Sequence, residues 1–273
     1  MVYFRKFWTR FRIYTRFSKI RFIDRLSYRA HFFLVLTEYL LIIIVNYFLW
    51  KAILADGRTI RGYALEDMVT YVAIAGVFRF IVNELSGGIS REMSGQYHSG
   101  ELIMNLLKPV GYQLYIYFRA FGGILFQLLF RGATVLTIWA LFVGLMPPDS
   151  TMPFIVSLAL GVLIYAGIAF LVGLTTFHIE NNAGVLFATT ASIELLSGTL
   201  IPLVMFPSWV VSILDYLPFK MIFYIPMQIY LGRLGVEETV SALIVQAIWA
   251  STLSIAGFCL FRASVRKLTI QGG

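Results

Sequence analysis

The sequence predicts an all-α polytopic membrane protein with six transmembrane helices. Of its 273 residues 59% are apolar and only 13% charged, and the mean hydropathy is +0.81. Soluble domains carry about 45–50% apolar and about 25% charged residues. Too few polar side chains remain here to coat a water-soluble surface, which also excludes a disordered or collagen-like chain. The apolar residues gather in runs near the roughly 20 residues needed to cross a bilayer.

Six runs qualify. The first is Phe32–Trp50, with Glu38 as its only charge; the second is Met68–Val82, carrying Arg79. The third lies within Phe121–Met146 and carries Arg131, and the fourth is Phe154–Thr176. The fifth, Ala183–Met205, carries Glu194, and the last is Val240–Phe261. Pro207, Pro218 and Pro226 break the apolar stretch 207–231, which therefore reads as short re-entrant or interfacial helices before the last span. The chain divides into a basic segment, 1–30, and a single membrane domain, 31–273.

Residues 1–30 hold nine basic residues and Asp24, which accounts for the whole net charge of +8. A basic block beside so much apolar sequence points to anionic lipid headgroups rather than nucleic acid. Phe4, Phe7, Trp8, Phe11 and Tyr14 share one helical face, with Arg5, Lys6, Arg10, Arg12 and Arg16 on the other. This pattern describes an interfacial helix lying on the membrane. The stripe drifts after Phe17, which argues against one continuous helix. With six spans and a cytoplasmic N-terminus, 15 basic residues fall inside and five outside, so the positive-inside rule places both termini in the cytoplasm.

Catalytic constellations are missing. None of the six lysines follows a glycine, so the phosphate-binding GxxxxGK[ST] loop is absent. Leu85-Ser86-Gly87-Gly88 reads as a glycine-rich exit from the second span. HExxH and CxxC are absent, and Ser86, Ser90, Ser94 and Ser99 lack a nearby base. His178 and Glu180 read first as a solvated turn, with a metal or proton site as the sharper alternative. Cys259 is the only cysteine, so no internal disulfide forms. The chain is expected to bear no cofactor and no enzymatic site.

Four ionisable residues lie inside spans: Glu38, Arg79, Arg131 and Glu194. Each needs a partner or a wet cavity in the bilayer. Estimated depth pairs Glu38 with Arg79 and lets Glu194 face Arg131. Such pairs either lock helices together or line a gated path. On the cytoplasmic side, Glu101–Leu107 places Leu102, Ile103, Leu106 and Leu107 on one side of a short helix. Ser99 stands where it caps the start, and Pro109 marks the end.

Three stretches resemble the permease subunits of the type-2 ABC exporter superfamily, nearest to the small six-span permeases found with daunorubicin-resistance-type ATPases. They are Ser99-Gly100-Glu101-Leu102 with Leu106-Leu107-Lys108-Pro109, the run from Leu196-Ser197-Gly198 through Tyr224-Ile225-Pro226, and the ending Leu268–Gly273. Ile103 departs from the aspartate common in the first of these. The resemblance implies a coupling helix at Ser99, Gly100, Glu101, Leu102, Leu106 and Leu107. It implies a separate ATPase subunit carrying ATP and Mg, a second permease chain of the same or a similar kind, and a prokaryotic plasma membrane. Two other readings fit the same residues: a secondary transporter titrating Glu38 or Glu194, and a membrane scaffold or assembly factor.

Overall fold

The computed structural model describes residues 2–26, 29–54, 57–179 and 181–266. Side chains are described from Phe11 to Arg25 and from Phe33 onward, so the aromatic stripe at Phe4, Phe7 and Trp8 lies outside them, as do Glu180 and the ending 267–273. Among the described residues every regular element is helical; Ile60 and Tyr63 form one isolated β-bridge.

Helix α1 is Val2–Leu26 and α2 is Arg29–Ile53. The expectation of a broken N-terminal helix is therefore corrected: α1 is continuous. The apolar stripe drifts because one face of α1 packs on protein. Tyr14 stacks on Phe118 at 5.3 Å, Phe17 meets Tyr115 edge-on at 4.8 Å, and Phe22 meets Phe126 at 5.8 Å. Phe118 belongs to α6, Tyr112–Phe126. The Ser18 hydroxyl donates to the Phe118 carbonyl, and the close approach depends on Gly122, where a Cβ would lie 2.6 Å from the Ser18 carbonyl carbon.

Helix α3, Leu65–Leu85, begins where the Ala64 N–H donates to Asp67 Oδ2 at 2.9 Å. It is the hub of the core, burying Met68, Tyr71, Phe78, Phe80 and Ile81. The expected glycine-rich exit is corrected as well. Ser86–Arg91 forms a π-helical segment that runs on into α4, Glu92–His98. Gly87 and Gly88 stay in the helix; a Cβ on Gly88 would make ordinary contacts, 3.4 Å from Glu84 and 3.6 Å from Ala120. A second π-segment, Gln127–Gly132, joins α6 to α7, Ala133–Phe142. This third span thus starts nine residues earlier than its apolar run.

Helix α8, Thr151–Leu174, packs along the later helix α13, Val236–Val265. Gly167 lets the Leu253 side chain in, and a buried Ser157 hydroxyl donates to Gln246 Oε1 at 2.9 Å. Helix α9, Ala183–Leu196, is shorter than the expected run to Met205. Gly198 turns the chain with φ +85°, and the Leu200 N–H returns to the Glu194 carbonyl at 3.2 Å. Three short helices follow: α10 (Ser208–Leu214), α11 (Phe219–Ile222) and α12 (Tyr224–Tyr230). They are tied to the core by Tyr71, whose hydroxyl donates to the Gly198 carbonyl at 2.6 Å, and by the Tyr224 N–H on the Ser197 carbonyl at 3.0 Å.

Among the described residues four helical stretches are long and apolar enough to cross a membrane: Phe33–Ile53, Tyr112–Phe142, Thr151–Phe177 and Val236–Val265. Helix α3 is long enough but carries Glu66, Asp67, Arg79 and Glu84. Helix α9 has 14 residues, about 21 Å at 1.5 Å per residue against roughly 30 Å of hydrocarbon.

Candidate functional site

The short helix predicted from Glu101 is present as α5, Glu101–Leu106. Gly100, not Ser99, takes the cap position with φ +77°, a conformation glycine adopts without strain. Ser99 contributes only a long 3.4 Å contact from the Glu101 N–H to its Oγ. The four leucine and isoleucine residues do not share one face. Leu102 is 3% exposed and inserts into the core, with Asn105 buried beside it and Leu106 half-buried. Ile103, Met104 and Leu107 point outward, the last two 66% and 74% exposed. A six-residue helix has room for one anchoring face, and Leu102 and Asn105 occupy it.

Beside α5 lies a cleft of about 740 Å³. Arg21 of α1, Arg91, Glu92, Glu101, Met104, Lys108 and Arg119 of α6 line it. Arg119 Nε stands 2.9 Å from Glu92 Oε1, and Arg21 Nη1 stands 3.9 Å from Glu92 Oε2. Burial pushes the Glu92 carboxyl above its ordinary value, with Arg119 and Arg21 pulling it back. Gln96 donates to Glu92 at 3.0 Å and accepts from the Tyr112 hydroxyl at 2.8 Å.

About two turns deeper, the side chain of Glu84 is buried. Its carboxylate accepts from Arg25 Nη2 at 2.6 Å, Gln127 Nε2 at 3.3 Å and Arg21 Nε at 3.4 Å. Gly123 makes room for it, since a Cβ there would lie 2.8 Å from Glu84 Cγ. The two π-segments flank this carboxylate, and Gln127 belongs to one of them. Sequence reading missed the cluster because its members are scattered over α1, α3 and α6. The signal available was the pair Arg21 and Arg25, spaced i, i+4 on the face that also carries Ser18 and Phe22.

The intramembrane pairs come out differently from expectation. Arg79 Nη2 reaches Glu194 Oε2 at 3.4 Å, so Glu194, not Glu38, is its partner. Arg131 is buried and donates to Gln127 Oε1 at 2.8 Å rather than facing Glu194. Glu38 is exposed, on the same side of α2 as Leu34, Leu41, Val45 and Phe48. Its neighbour Tyr39 turns inward, accepting from Asn83 Nδ2 at 2.6 Å. Depth along a helix sets level but not direction, and Glu38 and Arg79 differ in direction. Glu38, Arg131 and Glu194 still meet along one cavity of about 710 Å³, which also takes in Arg25, Glu84 and Arg91. No group of three or more His, Cys, Asp or Glu with metal-binding geometry occurs among the described residues.

A polytopic helical chain with a charge-lined cavity among its spans, and a short helix displayed beyond them, is a multi-pass membrane protein of the transport class. The sequence pattern of the ABC-2 family transporter proteins matches residues 40–272, and the chain belongs to that family. It is accordingly a permease component of an ABC transporter. No curated protein matches the chain.

Proposed function

We propose that this chain is the permease subunit of an ATP-driven exporter, forming half of a substrate path and coupling to a separate ATPase subunit that carries ATP and Mg. The carrying observation is α5: an apolar surface of Ile103, Met104 and Leu107 displayed beyond the spans on a helix anchored by Leu102. Exposed apolar side chains clustered on one short helix mark an interaction surface, which this reading assigns to the ATPase. In this reading Ser99 and Gly100 set the helix direction, Glu101 and Leu107 meet the ATPase, and Leu102 and Leu106 hold the helix to the permease.

The membrane is crossed six times, with α3 and α9 as the second and fifth spans, and both termini are cytoplasmic. The setting is a prokaryotic plasma membrane, and the basic face of α1 contacts anionic lipid. A second permease chain, identical or similar, covers the exposed side of α2. The support is Glu38, exposed on α2 at the cavity it shares with Arg131 and Glu194, where a second chain would close the carboxylate off from lipid. The cavity containing Glu38, Arg131 and Glu194 opens into the shared path. ATP-driven closure of the motor can shift the permease only if the two states differ in contact energy with it.

The test is purification of the tagged chain from its native membrane. An ATP-binding subunit with its own GxxxxGK[ST] loop is expected to accompany it, and the isolated chain is expected to hydrolyse no ATP. Sustained turnover by the pure single chain refutes the proposal.

A further inference from the structure

We infer that Tyr71 is a positioning residue for transport: through it α3 carries the turn at Gly198, and helix α10 behind that turn, during the transport cycle. The inference rests on the exporter reading and names the internal joint that such a cycle uses.

The first argument is the joint itself. The Tyr71 hydroxyl donates to the Gly198 carbonyl at 2.6 Å. A Cβ on Gly198 would lie 3.0 Å from that hydroxyl, so the left-handed glycine turn is fitted closely around the phenol. Tyr71 and Gly198 are both buried. A shift of about 1 Å between them would carry the bond beyond hydrogen-bond range. It would strand a donor and an acceptor away from water, so the turn is driven to follow α3. Arg79 on Glu194, at 3.4 Å, ties α9 to the same helix just before the turn. Helix α3 also runs on through Ser86–Arg91 into α4, which gives the motor a helical path to Tyr71.

The second argument is that two different bodies hold the stretch 197–231. Its start hangs on α3 through Tyr71. Helix α11 is fixed instead to α8 and α13. Gln246 Nε2 of α13 donates to the Met221 carbonyl at 2.7 Å, and a Cβ on Gly161 of α8 would lie 3.0 Å from the Ile222 carbonyl carbon. Between the described residues of α11–α12 and the turn there is one hydrogen bond, from the Tyr224 N–H to the Ser197 carbonyl at 3.0 Å. This longer bond is the one that yields when the turn follows α3. Helix α10 lies on the chain between the two anchorages. Its side-chain hydrogen bond among the described residues is internal, from Ser212 to the Ser208 carbonyl at 3.0 Å, and Trp209 and Ile213 are exposed. Movement of α3 against the α8–α13 pair is therefore taken up where α10 sits.

The experiment uses the complex of full-length chain and ATPase in lipid nanodiscs, in a Cys259→Ser background. An environment-sensitive bimane label is placed on Ser212→Cys of α10 or, as the reference, on Ser241→Cys of α13; both positions are exposed. The probe is ATP with Mg and vanadate, which arrests the motor in its closed state. In the parent complex the emission at position 212 is expected to change on arrest, and that at 241 to stay constant. In Tyr71→Phe, which keeps the ring and removes the hydroxyl, the change at 212 should fall at least about fivefold, the low end of ordinary coupling between sites, while ATP hydrolysis stays near the parental rate. Replacing Tyr71 with 4-aminophenylalanine, which restores a donor at the same place, should restore the response. No change at 212 in the parent, an equal change in Tyr71→Phe, an equal change at 241, or no rescue by the amino analogue overturns the inference and leaves the exporter reading intact. Loss of ATP hydrolysis or of a single gel-filtration peak in Tyr71→Phe assigns the bond to folding and overturns it as well. Absence of any ATPase from the unmodified chain overturns both.

Discussion

Replacing Gly122 by alanine is expected to release α1 from the body of the protein. The new Cβ would lie 2.6 Å from the carbonyl carbon and 2.7 Å from the Cα of Ser18. Both are backbone atoms, so no rotamer change relieves the clash. Restoring an ordinary contact requires the two helices to part by roughly 1 Å, and overpacking of this kind costs about 1–3 kcal/mol. Parting α1 from α6 also stretches the Ser18–Phe118 hydrogen bond and draws Arg25 away from Glu84, where it now stands at 2.6 Å. A cost of about 2 kcal/mol multiplies the undocked population roughly thirtyfold. Tryptic cleavage at Arg21 and Arg25 reads that population directly when opening is fast relative to cutting. Gly122→Ala should therefore be cut at these sites about thirtyfold faster than the parent. Gly95→Ala, which meets nothing within 4 Å, should be cut at the parental rate. Unchanged protection in Gly122→Ala would refute the account of α1 as a docked helix.

Three further outcomes follow from the same geometry. Arg79→Gln and Glu194→Gln should each lower thermal stability by about 1–3 kcal/mol, the range of a charge-assisted hydrogen bond, with partial recovery in the double variant; additive losses measured in detergent would separate the two residues. Leu102→Ala should cost about 2–4 kcal/mol as a core truncation, whereas Leu107→Ala should leave Tm unchanged and reduce ATPase retention; the reverse pattern would relocate the docking face. Glu92 carries a raised pKa in the fold, so its contribution to stability is greatest below its ordinary value of 4.5 and is lost as pH rises through the raised value. Glu92→Gln should accordingly flatten that part of the Tm–pH curve, and an unaltered slope would show that other groups set it.

Hydropathy and proline placement made the helical class readable, because membrane crossing imposes a length and composition on each segment. The apolar runs at Phe32, Phe154 and Val240 correspond to α2, α8 and α13 within a few residues. Contacts that depend on azimuth were not readable. Glu38 and Arg79 match in depth, yet Glu38 faces outward and Arg79 faces Glu194. Leu102 and Leu107 look equivalent in a short amphipathic stretch, but the first is core and the second is surface. Ser86-Gly87-Gly88 resembled a loop because serine and glycine are poor helix formers in isolation. Packing against Glu84, Ala120 and the Ser90–Ala169 hydrogen bond at 2.6 Å overrides that preference.

Because Leu65–Leu85, Ser86–Arg91 and Glu92–His98 are continuous, the element that ends beneath the α5 surface begins at the opposite end of the protein. At 1.5 Å per residue this strut is about 50 Å long, and a tilt of roughly 5° about one end carries the other through some 4 Å. The place where it can bend is the wide π-turn Ser86–Arg91, which follows directly on α3. That turn is gripped by the arginines of α1 through Glu84 and Glu92, which stand on either side of it. The amphipathic N-terminal helix thus sits where stiffness along the strut is decided, and its docking sets how much of a push at one end survives to the other.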